Sequence, residues 1–167
     1  MGQYSKPGNP QAYAFKTGDT IVNGAFAVWD PTATAVGQTV AHGAVRPLSA
    51  GIGSSGAFLL GVFNDSNPTT SNLDNGNPQY PYQKVLVDRA GIFPFKSTNS
   101  ETYVHGTAVY AAAAGDNLTI TTSSSSNTLV GYVNLPDGSS VTGAAGVNVN
   151  VEFNANTTYE TNSLLSA

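Results

Sequence analysis

The octapeptide Phe58-Leu59-Leu60-Gly61-Val62-Phe63-Asn64-Asp65 has an echo later in the same chain, Thr128-Leu129-Val130-Gly131-Tyr132-Val133-Asn134-Leu135. In both, two large apolar residues precede a glycine, and two apolar or aromatic residues and then an asparagine follow it. The glycines are 131 − 61 = 70 positions apart. Each octapeptide follows a similar neighbour, Gly24-Ala25-Phe26-Ala27-Val28 before the first and Gly106-Thr107-Ala108-Val109-Tyr110 before the second. An alternating strand candidate comes after each, Lys84 to Phe95 and then Val147 to Phe153. A short apolar run centred on glycine reads as a buried strand that bends or that another backbone approaches closely. Two copies of one β unit predict a single all-β body, a compact β-sandwich or barrel-like domain, because a solenoid needs at least three repeats.

A chain of 167 residues is about one domain long and buries enough surface to need no covalent staple. With no cysteine, a disulfide scaffold, a zinc-thiolate centre and an iron–sulfur cluster are excluded. Charged residues make up 10% of the chain, well below the usual ~25%, and Gly, Ser, Thr and Asn take their place. The net charge of −4 and the scattering of the six basic residues argue against a protein that grips nucleic acid through its phosphates. No apolar run approaches the ~20 residues that span a bilayer. The opening Met1-Gly2-Gln3-Tyr4-Ser5-Lys6 has no apolar core of a secretory signal, and Lys6 stands where a myristoylation motif wants Ser or Thr.

Residues 1–17 carry Pro7, Pro10 and the spaced aromatics Tyr4, Tyr13 and Phe15 without a period. They read equally as a frayed terminus or as an extended arm whose rings gain by docking on another surface. Strand signals follow at Thr20 to Val22 and Phe26 to Trp29, with an Asn23-Gly24 hairpin cue between them. A weaker strand candidate runs from Gln38 to Val45, closed by Arg46-Pro47. Ser66 to Tyr82 holds three prolines and Asp74-Asn75-Gly76, a long irregular segment of the kind that is usually functional. Lys84 to Phe95 reads as one strand with a bulge at Gly91. Val104 to Tyr110, Leu118 to Thr122 and Val147 to Phe153 complete the second unit. The expected organisation is thus an arm over 1–17, one β domain over 18–153 with units at about 18–95 and 104–153, and a tail over 154–167.

The sequence offers little catalytic chemistry. Gly51-Ile52-Gly53-Ser54-Ser55-Gly56 has the letters of a dinucleotide-binding loop, but such a loop follows a strand and opens a helix, whereas this one opens a strand. The two histidines, His42 and His105, have no Gly-x-Ser-x-Gly nucleophile elbow to serve. Asp65, Asn67, Asp74 and Asn75 lack the spacing of a calcium loop. The expectation is no enzyme, no cofactor and no metal. Tyr80 and Tyr82 could stack on sugars, so a carbohydrate-binding or adhesion module is the alternative reading. The same tyrosines could equally pin their loop to the domain or to a neighbouring subunit.

The ordered series Gly24 to Val28, Phe58 to Val62, Gly106 to Tyr110, the Thr/Ser segment Thr119 to Ser126, Thr128 to Tyr132 and Val147 to Phe153 resembles the small capsid decoration, or cement, proteins of tailed bacteriophages. The Ser66 to Tyr82 segment is longer than that pattern and the N-terminal arm lies outside it. The resemblance implies a β-rich virion structural protein on the outer capsid surface, made in the host cytoplasm, with the major capsid protein as partner and a homotrimer as its assembly. It carries no catalytic residues. The expected partner-binding residues are Tyr4, Pro7, Pro10, Tyr13, Phe15, Tyr80 and Tyr82, and deleting residues 2–15 is expected to leave folding intact while abolishing capsid occupancy.

Overall fold

The structure is a computed structural model that describes residues 10–48, 52, 56–64, 84–112, 119–125 and 128–155. Among these residues every regular element is a strand. In chain order they are β1 (Pro10–Ala14), β2 (Phe26–Asp30), β3 (Ala44–Pro47), β4 (Phe58–Phe63), β5 (Lys84–Asp88), β6 (Ala90–Ser97), β7 (Glu101–Val104), β8 (Ala108–Ala111), β9 (Thr119–Thr121), β10 (Thr128–Val133), β11 (Ser140–Gly143) and β12 (Asn148–Asn154).

The fold is all-β and is built from two five-stranded units of one topology, a closed barrel (the second barrel) and a sheet that an isolated bridge rounds into a barrel-like unit (the first barrel). Strands β10-β12-β6-β9-β8 form a closed barrel, and β1-β5-β4-β2-β3 form a sheet of the same order. The sheet's two ends are joined by a parallel bridge between Phe15 and Val45. Matching strand for strand, β1 corresponds to β6, β2 to β8, β3 to β9, β4 to β10 and β5 to β12. The match extends to the hydrogen bonds. Lys16 N donates to Val45 O at 2.8 Å as Thr98 N donates to Ile120 O at 2.9 Å. Gly24 N donates to Phe63 O at 2.8 Å as Gly106 N donates to Val133 O at 2.9 Å. Both of these glycines sit at positive φ, 83° and 80°, a conformation that costs glycine nothing and other residues about 1 kcal/mol or more.

The repeated central glycines are explained by close approach. In each barrel the strand carrying the glycine bulges next to it, at Leu60 against Ala27 and Val28 and at Val130 against Val109 and Tyr110. The neighbouring strand then passes so near that a Cβ on Gly61 would collide with the carbonyl oxygen of Asp88, and one on Gly131 with that of Glu152. A bulge increases local twist, which is what a barrel of only five short strands needs to close.

Five expectations about elements and their boundaries are corrected. Lys84 to Phe95 is not one strand: it breaks at Arg89, and the part from Ala90 onward is the first strand of the second barrel. The units therefore divide at Arg89, and the segment expected to be an arm supplies β1, the first strand of the first barrel, paired antiparallel to β5 from Pro10↔Asp88 to Ala14↔Lys84. Val104 to Tyr110 also splits, into β7 and β8 across the turn at His105 and Gly106. Thr20 to Val22 is not a strand and forms no hairpin with β2, although a turn does close at Asn23-Gly24 through Ala25 N to Val22 O at 3.0 Å. The third strand lies at Ala44–Pro47 rather than Gln38 to Val45.

The interior of the first barrel is filled by Phe15, Ile21, Ala25, Ala27, Val45, Leu60, Phe63, Val85 and Val87. Its outward face at β2 and β4 is equally apolar, with Phe26, Val28 and Leu59 at 0% exposure. This face joins the core of the second barrel, where Phe93, Phe95, Ile120, Val149, Val151 and Phe153 lie in the same cluster. The rings of Phe26 and Phe95 meet with centroids 4.5 Å apart. One continuous apolar cluster thus holds the barrels together, each fully buried large side chain contributing roughly 1.5–3 kcal/mol.

Candidate interaction surfaces

Two buried clusters of polar side chains stand out among the described residues, and both cross-link strands. On β2, Asp30 accepts a bond from Arg46 Nε of β3 at 2.9 Å, with both side chains about nine-tenths buried. The other Asp30 oxygen takes the Thr32 amide at 2.9 Å and the Thr32 hydroxyl at 2.7 Å. The rest of the guanidinium is taken by the carbonyl oxygens of Pro47 and Ile52. A buried pair keeps its charges only when the remaining donors and lone pairs are satisfied in this way. The reward is a fixed joint between β2, β3 and the chain that leads into β4.

The second cluster is in the second barrel. Tyr103 on β7 is 1% exposed, and its hydroxyl lies 2.9 Å from Ser97 Oγ and 3.0 Å from Glu101 Oε2. Glu101 also accepts Thr121 Oγ1 at 2.7 Å and the Thr122 amide at 2.7 Å. Burial pushes the Tyr103 phenol up to about 12, with the Glu101 carboxylate adding to the rise against the Ser97 bond. Burial also raises Glu101, but the bonds from Thr121, Thr122 and Tyr103 together outweigh it and hold the carboxyl below its ordinary value. A phenol held neutral and a carboxylate held ionised at neutral pH, with every bond spent on β6, β7 and β9, make a structural clamp.

His42 and His105 are both exposed, and His105 Nδ1 accepts the Leu135 amide at 3.0 Å. Among the described residues no group of three or more His, Cys, Asp or Glu side chains is placed to hold a metal ion, and no helix is long and apolar enough to cross a membrane.

The residues expected to touch a partner have separate fates. Phe15 is 5% exposed and lies in the interior of the first barrel, so its ring is spent on the fold. Tyr13 is half-buried, its ring centroid 6.4 Å from that of Trp29 and its hydroxyl bonded to Gln11 Oε1 at 2.7 Å. Pro10 is exposed at the start of β1. Tyr4, Pro7, Tyr80 and Tyr82 lie outside the described residues, and so does the whole Ser66 to Tyr82 segment with the sugar-stacking alternative that rests on it.

Sequence reasoning missed the exposed corner of the second barrel. Tyr132 on β10 is 40% exposed and Val104 at the end of β7 48%, whereas most other large apolar residues of the second unit are buried. The missed signal was the repeat itself: aligning the octapeptides sets Tyr132 against Val62, a polar-tipped ring where the first copy has an aliphatic residue. No family model matches the chain, and no curated protein matches it.

Proposed function

We propose that the chain is a virion structural protein, a capsid decoration or cement protein that binds the outer surface of an assembled bacteriophage head and stabilises it. The major capsid protein is its partner, and the chain self-associates as a homotrimer. It works by adhesion and transforms no substrate. The observation that carries this reading is that both buried polar clusters are internal joints, Arg46 with Asp30 and Tyr103 with Glu101, set in two tightly filled barrels. Such a body can act through surface area. A specific contact needs about 1,600 Å² in total, and repetition over a lattice multiplies a modest affinity through avidity. The ordered motif series that resembles decoration proteins points the same way.

The test is sedimentation of the purified chain with assembled coat-protein shells and, separately, with unassembled coat protein. The expected result is saturable pelleting with shells and no complex with free coat subunits. A chain that stays in the supernatant at every shell concentration would refute the proposal.

A further inference from the structure

The two barrels carry the same pair of polar side chains at the same place. In the first, the Asn64 side chain bonds the carboxyl of Asp88. In the second, Asn134 Nδ2 donates to Glu152 Oε2 at 3.0 Å. The positions are equivalent, because Val62 stands opposite Asp88 as Tyr132 stands opposite Glu152, and each asparagine lies two residues further along its strand's path. Their surroundings differ. Asp88 is 3% exposed, and Val62 beside it belongs to the apolar cluster shared with the second barrel. Glu152 and Tyr132 are both exposed. The second barrel thus repeats the acid and amide pair on an open face, and sets a tyrosine beside it where the first has valine.

The strand register gathers more onto this face. Ala108 stands opposite Tyr132, so the half-buried Tyr110, two residues along β8, is its diagonal neighbour, about 7–8 Å away in such ladders and within reach of an aromatic ring. On β12, Val149, Val151 and Phe153 turn inward, which leaves Asn150 on the same side as Glu152. Strands β6, β8, β10 and β12 hold one acid and one base, Glu152 and Lys96, so the face has no net charge with which to attract an ionic partner.

We propose that this face binds a neutral oligosaccharide, the Tyr132 ring covering the C–H face of one sugar while Glu152 and Asn134 engage its hydroxyls. A sugar ring is apolar on that face and is edged by hydroxyls that both donate and accept. A carboxylate only accepts, whereas an amide does both, so the two held side by side match neighbouring hydroxyls. The flat tyrosine supplies the apolar wall with a wet tip. The Asn134 bond uses one carboxylate oxygen, and the other makes no bond among the described residues. A flat protein partner would strip water from this pair and from the Asn150 amide without replacing it, which costs free energy. A polyol brings a hydroxyl to each.

The inference does not rest on the capsid reading. Its test is native electrophoresis of the purified chain through gels that contain, in turn, a soluble glucan, mannan, galactan or xylan. At least one polymer is expected to retard the wild type. Tyr132→Ala is expected to weaken that retardation at least tenfold, Tyr132→Phe to keep it, and Glu152→Gln to weaken it several-fold, each with the melting curve of the wild type. Val40→Ser, at an exposed position outside this face, is the control and should change nothing. Free migration of the wild type in all four gels would overturn the proposal, and so would retardation that Tyr132→Ala leaves intact. If no polymer retards the wild type and Tyr132→Ala instead releases the chain from coat-protein shells, the face is a protein contact. That result would overturn this inference and leave the capsid reading standing.

Discussion

The carbonyl oxygen of Asp88 occupies the space that a Cβ on Gly61 would need, and Glu152 stands in the same relation to Gly131 in the second barrel. The two glycines are therefore fixed by a neighbour's backbone. Alanine at either site must push two paired strands apart. Overpacking of this kind costs about 1–3 kcal/mol, so Gly61→Ala and Gly131→Ala are each expected to lower the unfolding free energy read from denaturant titration by that amount. Gly138→Ala, at a turn where an added Cβ meets nothing within 4 Å, is the control and should cost only the roughly 1 kcal/mol of its positive φ.

The Asp30 and Arg46 pair predicts non-additive mutants. Removing one partner strands a charge that is nine-tenths buried, a loss of about 3–5 kcal/mol. Arg46→Met and Asp30→Leu should each show that loss, and the double variant should recover at least half of the summed loss in urea unfolding. Strict additivity would mean that the two charges do not interact.

Two carboxylates give opposite pH effects. Glu101 is held below its ordinary value, so its contribution to stability is full above pH 4.5 and is lost as pH falls through its folded-state value. Asp88 is raised by burial, which its bond from the Asn64 side chain only partly offsets, and its Oδ1 has no partner. Its ionisation therefore costs stability, a cost that is absent below pH 3.8 and grows as pH rises through the folded-state value. Glu101→Gln should weaken the fold at pH 7 and flatten its acid unfolding. Asp88→Asn removes the desolvated charge and keeps the side chain's shape, so it should stabilise the fold at pH 7 and do nothing at pH 3. Thermal melts across this range read both signs.

Truncations test how much of the N-terminal segment the fold requires. Deleting residues 2–15 removes β1 and the buried Phe15, so it should unfold the first barrel, contrary to the expectation from sequence that folding survives. Deleting residues 2–9 leaves β1 in place and should keep the melting temperature within a few degrees, where about 1 kcal/mol corresponds to roughly 2–4 °C. Circular dichroism on the two truncated chains makes the comparison.

What the sequence made legible follows from which physical causes are local. The repeat around Gly61 and Gly131 announced both barrels, because close backbone approach demands glycine at a fixed place in each copy. The alternation of Val149, Val151 and Phe153 announced β12, since one face of that strand is dry and the other wet. Strand β1 was hidden because three of its five residues are exposed, leaving no period to detect. Its identity is tertiary: it is a strand because β5 offers it a ladder. The break at Arg89 was hidden by the opposite problem, apolar residues on both sides of a crossing from one barrel to the next. At the candidate surface, composition found the aromatics Tyr13 and Phe15 but not their destinations, one at the rim and one inside. Tyr132 stood within the recognised repeat, yet only the burial of its counterpart Val62 revealed it as the odd position.

The most direct measurement is the temperature at which phage heads release their DNA, compared between heads stripped of this chain and the same heads after the purified chain is added back. The account predicts a higher release temperature that saturates as the outer surface fills. An unchanged release temperature on heads fully occupied by the chain, or no occupancy at any concentration, would contradict it.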